Sequence, residues 1–385
     1  MRLRYGINPQ QRFASAEPVV PGTHPVQVLN GTPSMINLLD ALNAWQLVQE
    51  AKAATGLPAA ASFKHLSPAG AALATELPDD LAHAYEVQGT TLSSPALAYV
   101  RARGADPKSS YGDLAALSDP VDPPTATILK GVVSDGVIAP GYHPAALELL
   151  KTKKQGAYLI LRADPDFQPP PRQAREVFGM RLVQDRDPHP IGPADLDQTV
   201  VGTLDQPARR DLLLGPVTMK YTQSNSVGYA LDAQMIGIGA GQQSRVDCTK
   251  LAGAKADLWW LGRHPKALAL RFHQGLSRQQ RVNWRVRYLE GDLSPTEARD
   301  LQACLDSPID PLTDQERAAW LARLDQVSMV SDGYLPFPDN VDHARRHGVR
   351  FIAAPAGSIR DPQVADACRQ HQIALVHTPH RYFHH

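Results

Sequence analysis

Cysteine is scarce: Cys248, Cys304 and Cys368 lie far apart, and no C-x-x-C pair occurs. That spacing argues against a disulfide framework and a structural zinc knuckle, and it suits a reducing, cytoplasmic setting. An excess of charge of one sign is also missing. Lys+Arg and Asp+Glu number 39 each, so no net positive field is available to hold a nucleic-acid backbone, although a local basic pocket stays open. No apolar run reaches the roughly 18 residues of a membrane span, and the opening MRLRYGINPQQ lacks the apolar stretch of an export signal. Neither nucleic acid nor a membrane is therefore expected as a partner. What remains, 43% apolar and 20% charged residues, is the composition of an ordinary soluble globular protein. The length allows about two to three compact units.

Apolar side chains at Leu38, Leu42, Trp45 and Val48 predict a helix over 35–54, with Ser34 as its cap. The run LPAAASF ends at the pair Lys64–His65, where a Ser-Pro turn is expected to begin. Helical stretches near 91–104 and 123–131, a short apolar run at 135–140, a helix at 144–153 and the strand-like AYLILRA at 157–163 follow. Such alternation predicts α/β layers. The Pro-rich DPDFQPPPR reads as a boundary, giving a first α/β unit over 1–165 and a connecting segment over 166–216. A second α/β unit is expected over 217–262 and 326–385. It is interrupted at 263–325 by a mainly helical insertion rich in Arg, Glu, Gln and Leu.

Three motifs carry chemistry. Lys64 and His65 stand together at the carboxyl end of an apolar run, the edge where open α/β sheets usually bind ligands. A lysine in low-dielectric surroundings serves as an acid or oxyanion partner, and a histidine shuttles protons near neutral pH. Charged strand ends without function are common, so the residues alone leave both readings open. GIGAGQQS (237–244) resembles a dinucleotide fingerprint, but its spacing is G-x-G-x-G and no second strand closes a βαβ unit promptly. The plainer reading is a Gly-rich strand-to-helix turn offering N–H groups to an anion, with Arg245 beside it. HTPHRYFHH (377–385) gathers four histidines, yet it supplies no acidic or thiol ligand, and Arg381, Tyr382 and Phe383 favour a docked end with a phosphate-contacting arginine over a metal site.

Assembled in order, the motifs LRYGINPQQ, VLNGTPSMINLLDALNAWQLVQE, AAASFKHLSPAGAA, YVRARGADPKSSYGDLAALSD, VSDGVIAPGY, KYTQSNSVGYA, GIGAGQQSRVDCTKLAGAKA, SDGYLPFPDNVDHARRHGVRFIAAPAGS and HTPHRYFHH span nearly the whole chain. The chain resembles the AICAR transformylase domain of the bifunctional AICAR transformylase/IMP cyclohydrolase family. The resemblance implies two cytidine-deaminase-like α/β units of three-layer α/β/α form, without the H-x-E and P-C-x-x-C zinc ligands of the deaminases. It also implies a homodimer with active sites at the subunit interface. The implied reaction carries the formyl group of 10-formyltetrahydrofolate to the 5-amino group of AICAR, giving formyl-AICAR and tetrahydrofolate.

By the same resemblance Lys64 and His65 match the catalytic Lys-His pair. Arg4, Tyr5, Arg381 and Phe383 match the AICAR site, with Asn37 and Lys154 on its phosphate side and Gly112, Asp135, Asn225 and Tyr334 lining base and ribose. Guanidinium forks suit a ribose phosphate. Arg245, Val246, Pro336, Asp339, Ser358 and Ile359 match the folate side, where Asp339 reads the donor edge of the pterin. Family members can hold a monovalent cation, potassium, near the turn at Tyr221, Ser224 and Ser226; no other metal is expected.

This sequence departs from the family pattern at Gln10, a histidine in the family motif, and at Tyr334, usually phenylalanine. It opens directly on the transformylase motif. If Met1 is the true start, a stand-alone transformylase without cyclohydrolase activity is expected, with a separate IMP cyclohydrolase closing the ring; if the chain is an excised domain, the intact protein is expected to do both. Two rivals are a folate-dependent formyltransferase acting on a different aminoimidazole ribotide, and a non-catalytic ribotide- or folate-binding homologue. No G-x-x-x-x-G-K-[ST] loop supports a formate- and ATP-driven route.

Overall fold

A computed structural model describes residues 1–385. Its first half runs β1 (Val26–Asn30), α1 (Met35–Thr55), β2 (Ala59–Lys64), β3 (Ser67–Leu73), α2 (Asp79–Ala84), α3 (Ser94–Gly104), β4 (Asp113–Leu117), α4 (Pro123–Gly131), β5 (Ser134–Ala139), α5 (Pro144–Lys151) and β6 (Leu159–Ala163). A hairpin of β7 (Arg172–Val177) and β8 (Met180–Asp185) follows. The second half holds β9 (Thr199–Val201), α6 (Gln206–Lys220), β10 (Val227–Leu231), β11 (Gln234–Gly239) and α7 (Arg245–Leu261). Next come four helices, α8 (Pro265–Leu268), α9 (Arg278–Glu290), α10 (Pro295–Ala303) and α11 (Asp314–Leu321). The chain closes with β12 (Val327–Ser331), α12 (Asp339–Arg345), β13 (Val349–Pro355), α13 (Asp361–Gln370) and β14 (Ala374–Thr378).

Twelve strands form one mixed sheet in the order β1-β6-β5-β4-β2-β3-β11-β10-β12-β13-β14-β9. Read inward from either edge, the pattern is the same. An antiparallel edge strand leads to three parallel strands, then to an antiparallel hairpin, and the hairpins β2–β3 and β10–β11 meet antiparallel at the centre. The halves are thus topological copies about a two-fold axis normal to the sheet. Helices α1 and α6 share one face over a core holding Trp45, Leu47, Leu212 and Val330. The other face is covered by α3, α4 and α5 in the first half and by α7, α12 and α13 in the second. This is a three-layer α/β/α fold, and α8–α11 form a helical excursion over a small core of their own.

Local signals explain the elements that matter for the site. Ser34 and Asn37 form a capping box at the start of α1, and Gly56 ends that helix in the left-handed conformation. Gly237 and Gly239 have a packing role. A Cβ at either would lie 2.1 or 2.2 Å from the carbonyl oxygen of Ala252 or Cys248, so they let α7 lie directly on β11. Because β11 is antiparallel to both neighbours, GIGAGQQS does not open a parallel βαβ unit.

Two sequence expectations are corrected. Residues 166–216 are more than a connection: β9 pairs with β14 at the sheet edge, α6 packs in the core, and β7–β8 stands out as an exposed ribbon. The chain does not turn at Ser67–Pro68 but at His65–Leu66, both with positive φ (54° and 61°), and Ser67 and Pro68 already belong to β3 beside a bulge.

The central hairpins close alike. In the second, Asp232 and Ala233 have φ of 53° and 63°, and buried Asp211 on α6 accepts the Ala233 N–H at 2.6 Å. Burial raises the Asp211 pKa to about 7 from an ordinary 3.8. A raised carboxyl pKa favours the fold while the proton is bound, so this contribution is full below pH 4 and is lost as pH rises towards 7. Asp211→Asn keeps the acceptor and does not titrate. Its stability relative to wild type, read from urea unfolding, is expected to improve by on the order of 4 kcal/mol between pH 4 and pH 7. A constant difference over that range would show that Asp211 is ionised throughout.

Candidate active site

One end of the sheet gathers nearly all the residues singled out from the sequence. Lys64 ends β2, which runs antiparallel to β4, so the Lys64–His65 turn sits at the amino ends of β4, β5 and β6. The expectation of a carboxyl edge is corrected for this half. Because of the two-fold pattern, the second half presents the carboxyl ends of β12, β13 and β14 at the same end of the sheet. Ser67 Oγ, at the start of β3, accepts the Gln223 N–H at 3.3 Å and ties the halves together there.

In the first half, Lys64 is half-buried and its Nζ donates to the Tyr111 carbonyl at 2.5 Å. His65 is exposed. The Leu66 N–H donates to Asp40 Oδ1 at 2.8 Å. Gly112 takes a φ of +77° after Tyr111 and donates its N–H to the Val133 carbonyl. Beneath this loop lies Asp113, fully buried and held by Ser62 Oγ at 2.7 Å, the Tyr99 hydroxyl at 3.1 Å and Arg103. Asp135, at the start of β5, pairs with Lys154 at 2.7 Å. Arg4 stacks on Tyr5 with its guanidinium carbon 4.9 Å from the ring centre, and the Arg4 and Tyr5 backbones are hydrogen-bonded to Pro33 and Met35 at the start of α1. Asn37 commits its Oδ1 to the helix cap, which leaves its amide N–H groups for a ligand.

The second half forms a separate cavity of about 730 Å³, lined by Asn225, Arg245, Val246, Tyr334, Pro336, Asp339, Arg381 and Phe383 among others. Arg245, which lines it from the first turn of α7, is ion-paired with the fully buried Asp332 behind it. Arg245 also donates to Ser331 Oγ and Asn225 Oδ1, each at 2.9 Å, and Asn225 holds the carbonyls of Gln242 and Gln243. Asp332 further accepts from Ser224 Oγ and the Ser226 N–H, and its carbonyl receives the Tyr382 N–H, so the chain's last residues are docked on the same hub. Gly333 permits this packing: a Cβ there would lie 2.6 Å from Arg245 and 2.8 Å from Phe383. Arg381 stacks on Phe383 and, like Arg4, has no carboxylate partner. Two guanidiniums placed on aromatic faces without counter-ions make a setting for an anion.

Ser358 and Ile359 lie beyond the cavity rim, with Ile359 99% exposed. The histidines of the tail diverge: His380 packs on His189 and His384 faces Tyr221. The Tyr221 hydroxyl is committed to Glu50, whereas the buried Ser226 Oγ has no hydrogen-bond partner. Lys64 and His65 do not line the cavity that holds Arg381, although both stand at the same end of the sheet. A second cleft of about 610 Å³ lies under α9, but it is largely apolar, and Glu86, Asp106 and Glu290 pair with its arginines and lysines. It marks the docking of the helical excursion.

Two residues of this site escaped the sequence reading. Asp332 follows the apolar run VSMVS directly, and Asp40 interrupts the apolar face of α1. An acid at the end of a buried strand or on a buried helix face was the available signal.

A family model described as the AICARFT/IMPCHase bienzyme matches residues 1–255. Among curated proteins, the chain is 31% identical over 390 residues to a "Bifunctional purine biosynthesis protein PurH" of Dinoroseobacter shibae, and 30% identical to proteins of the same description from Cereibacter sphaeroides and a Ruegeria species. Each alignment covers all of this chain and 59% of the relative, so the chain spans about three-fifths of the length of these proteins.

Proposed function

Because the chain belongs to the AICARFT/IMPCHase bienzyme family, we propose that it transfers the formyl group of 10-formyltetrahydrofolate to the 5-amino group of AICAR, giving formyl-AICAR and tetrahydrofolate. The observation that carries this reading is the presentation of an ammonium and an imidazole at adjacent positions of one turn, on the sheet end that also bears two guanidiniums without counter-ions.

The chemistry needs such a pair. The AICAR amine is a poor nucleophile because its lone pair is delocalised into the imidazole carboxamide. A proton must leave it as the C–N bond forms, the tetrahedral oxyanion needs a donor, and folate N10 needs a proton to depart. His65 makes no side-chain hydrogen bond, so its ring is free to take the amine proton. Lys64 already donates to a carbonyl, which suits a donor to the oxyanion or to N10. Arg4 and Arg381 would hold the ribose phosphate, with Asn37 and Lys154 beside it. Gly112, Asp135, Asn225 and Tyr334 would line base and ribose. The folate would lie along Arg245, Val246, Pro336, Asp339, Ser358 and Ile359. The unpartnered Ser226 Oγ would be a ligand for a monovalent cation, potassium, at the turn that also carries Ser224 and lies beside Tyr221.

The working form is a homodimer in which Lys64 and His65 of one subunit face the Arg381 cavity of the other. Two features support it: Lys64 and His65 do not line the Arg381 cavity of their own chain, and β7–β8 exposes Phe178, Met180, Leu182 and Val183 to solvent. An isolated two-stranded ribbon is marginal in water and gains stability from a partner surface.

The test mixes purified protein with AICAR and 10-formyltetrahydrofolate and follows tetrahydrofolate by absorbance and the nucleotide by mass. Formyl-AICAR formation supports the reading, and any IMP reveals ring closure by the same protein. Turnover only with another aminoimidazole ribotide would replace the acceptor, and binding without turnover would make the protein a ribotide or folate sensor. Arg381→Ala is expected to weaken AICAR binding by about ten- to a hundred-fold, as the loss of a charged hydrogen-bond donor implies. Unchanged affinity by calorimetry would place the phosphate elsewhere.

A further inference from the structure

We infer that Asp40 is a positioning residue for the Lys64–His65 pair, holding the turn that carries both side chains through its contact with the Leu66 amide; the inference rests on the formyl-transfer reading above. The turn needs holding. His65 and Leu66 both occupy left-handed backbone conformations, neither is glycine or asparagine, and in that conformation the Cβ crowds the following carbonyl oxygen. Within the hairpin, Lys64 pairs with Ser67 across the turn, and the Leu66 N–H is left outside the ladder. Asp40, the sixth residue of α1 and 7% exposed, supplies the acceptor at 2.8 Å.

The second half repeats the device. Asp211, the sixth residue of α6, accepts from Ala233, the second residue of the other left-handed turn. A helix carboxyl group steadying a hairpin turn is therefore built into both copies. In the second copy the turn carries Leu231 and Asp232, with the Asp232 carbonyl taken up by Arg101 and Thr75, and it faces the opposite end of the sheet. Only in the first copy does the clamped turn present an ammonium and an imidazole. There the carboxylate is also near His65 and Asp135, so it shapes the field at the pair as well as the backbone. Burial raises the Asp40 pKa, partly offset by the Leu66 amide.

The test compares steady-state kinetics with amide exchange. Asp40→Asn keeps an acceptor and is expected to retain kcat within about ten-fold. Asp40→Ala is expected to lose about a hundred-fold in kcat, the effect of a displacement near 1 Å at reacting groups, with the KM for AICAR within about three-fold. Adding Leu66→Gly, which removes the left-handed penalty at that position, is expected to recover at least about ten-fold of the loss. Should Asp40→Ala not fold, Asp40→Ser takes its place. Exchange at the Leu66 amide, which needs no turnover, is expected to quicken in the alanine or serine variant and to stay slow in the asparagine variant. Unaltered exchange, kcat near wild type in Asp40→Ala, or no rescue by Leu66→Gly would each overturn the inference. A wild-type protein without formyl transfer would overturn the reading beneath it, while the exchange data would still decide whether Asp40 holds the turn.

Discussion

Replacing Lys64 or His65 with alanine is expected to lower kcat for formyl transfer by about a thousand-fold or more, with the dissociation constant for AICAR moving by less than about ten-fold. The two losses arise differently. Without His65 the amine keeps its proton as the bond to the formyl carbon forms, and the intermediate reverts. Without Lys64 the oxyanion, or the departing N10, lacks its donor. Neither side chain carries the nucleotide's phosphate in this scheme, so ground-state binding survives. Single-turnover kinetics beside calorimetry would separate the effects. Near-wild-type turnover in either variant would remove that residue from the chemistry, and a parallel loss of affinity would turn the pair into a binding element.

Mixing His65→Ala chains with Arg381→Ala chains is expected to restore activity that neither has alone. If each site takes its turn from one subunit and its arginine from the other, a mixed dimer holds one site with both lesions and one with neither. Random reassociation makes about half the dimers mixed, so about a quarter of wild-type activity should return at AICAR concentrations well below KM. The rise from near zero is large because the lesions are segregated onto different sites. Activity equal to the average of the parent variants would show that each chain builds its site alone.

Only part of the candidate site was legible in the residues themselves. Lys64–His65, Arg245 and Arg381 stand out because such side chains beside apolar runs or in an aromatic tail are chemically conspicuous, whereas Arg4, Asn37, Lys154, Asp135 and the other ligand-side positions follow from the family resemblance alone. The α/β layering was also legible, since buried strands and amphipathic helices carry different periods. The clamps were not. Asp40 and Asp332 act on backbone amides and a buried guanidinium contributed by segments 26 and 87 residues away, a relation that periodicity does not encode. The three-residue strand β9 is too short to leave a pattern, and its pairing with β14 depends on tertiary position. The β7–β8 ribbon had a visible cue in Phe178–Gly179, flanked by alternating side chains, but the prolines on either side of it and its own charges favoured a linker reading. The turn at residues 65–66 was displaced in the reading because Ser-Pro is the usual breaker, whereas a left-handed histidine and leucine are held there by contacts from α1.

The doubled sheet also sets an order of assembly on the ribosome. The first half has every strand of its ladder once residue 163 is made, and it can close early. Its β3 then offers an open, alanine-rich edge until β11 arrives some 160 residues later in the chain, an interval in which self-pairing competes with folding. The second half is slower by construction. Its β10 waits across the helical excursion for β12, and its edge strand β9 waits for β14 at 374–378. A nascent chain paused within α8–α11 would therefore hold a finished first half beside a second half lacking three of its strands, the state most in need of a chaperone.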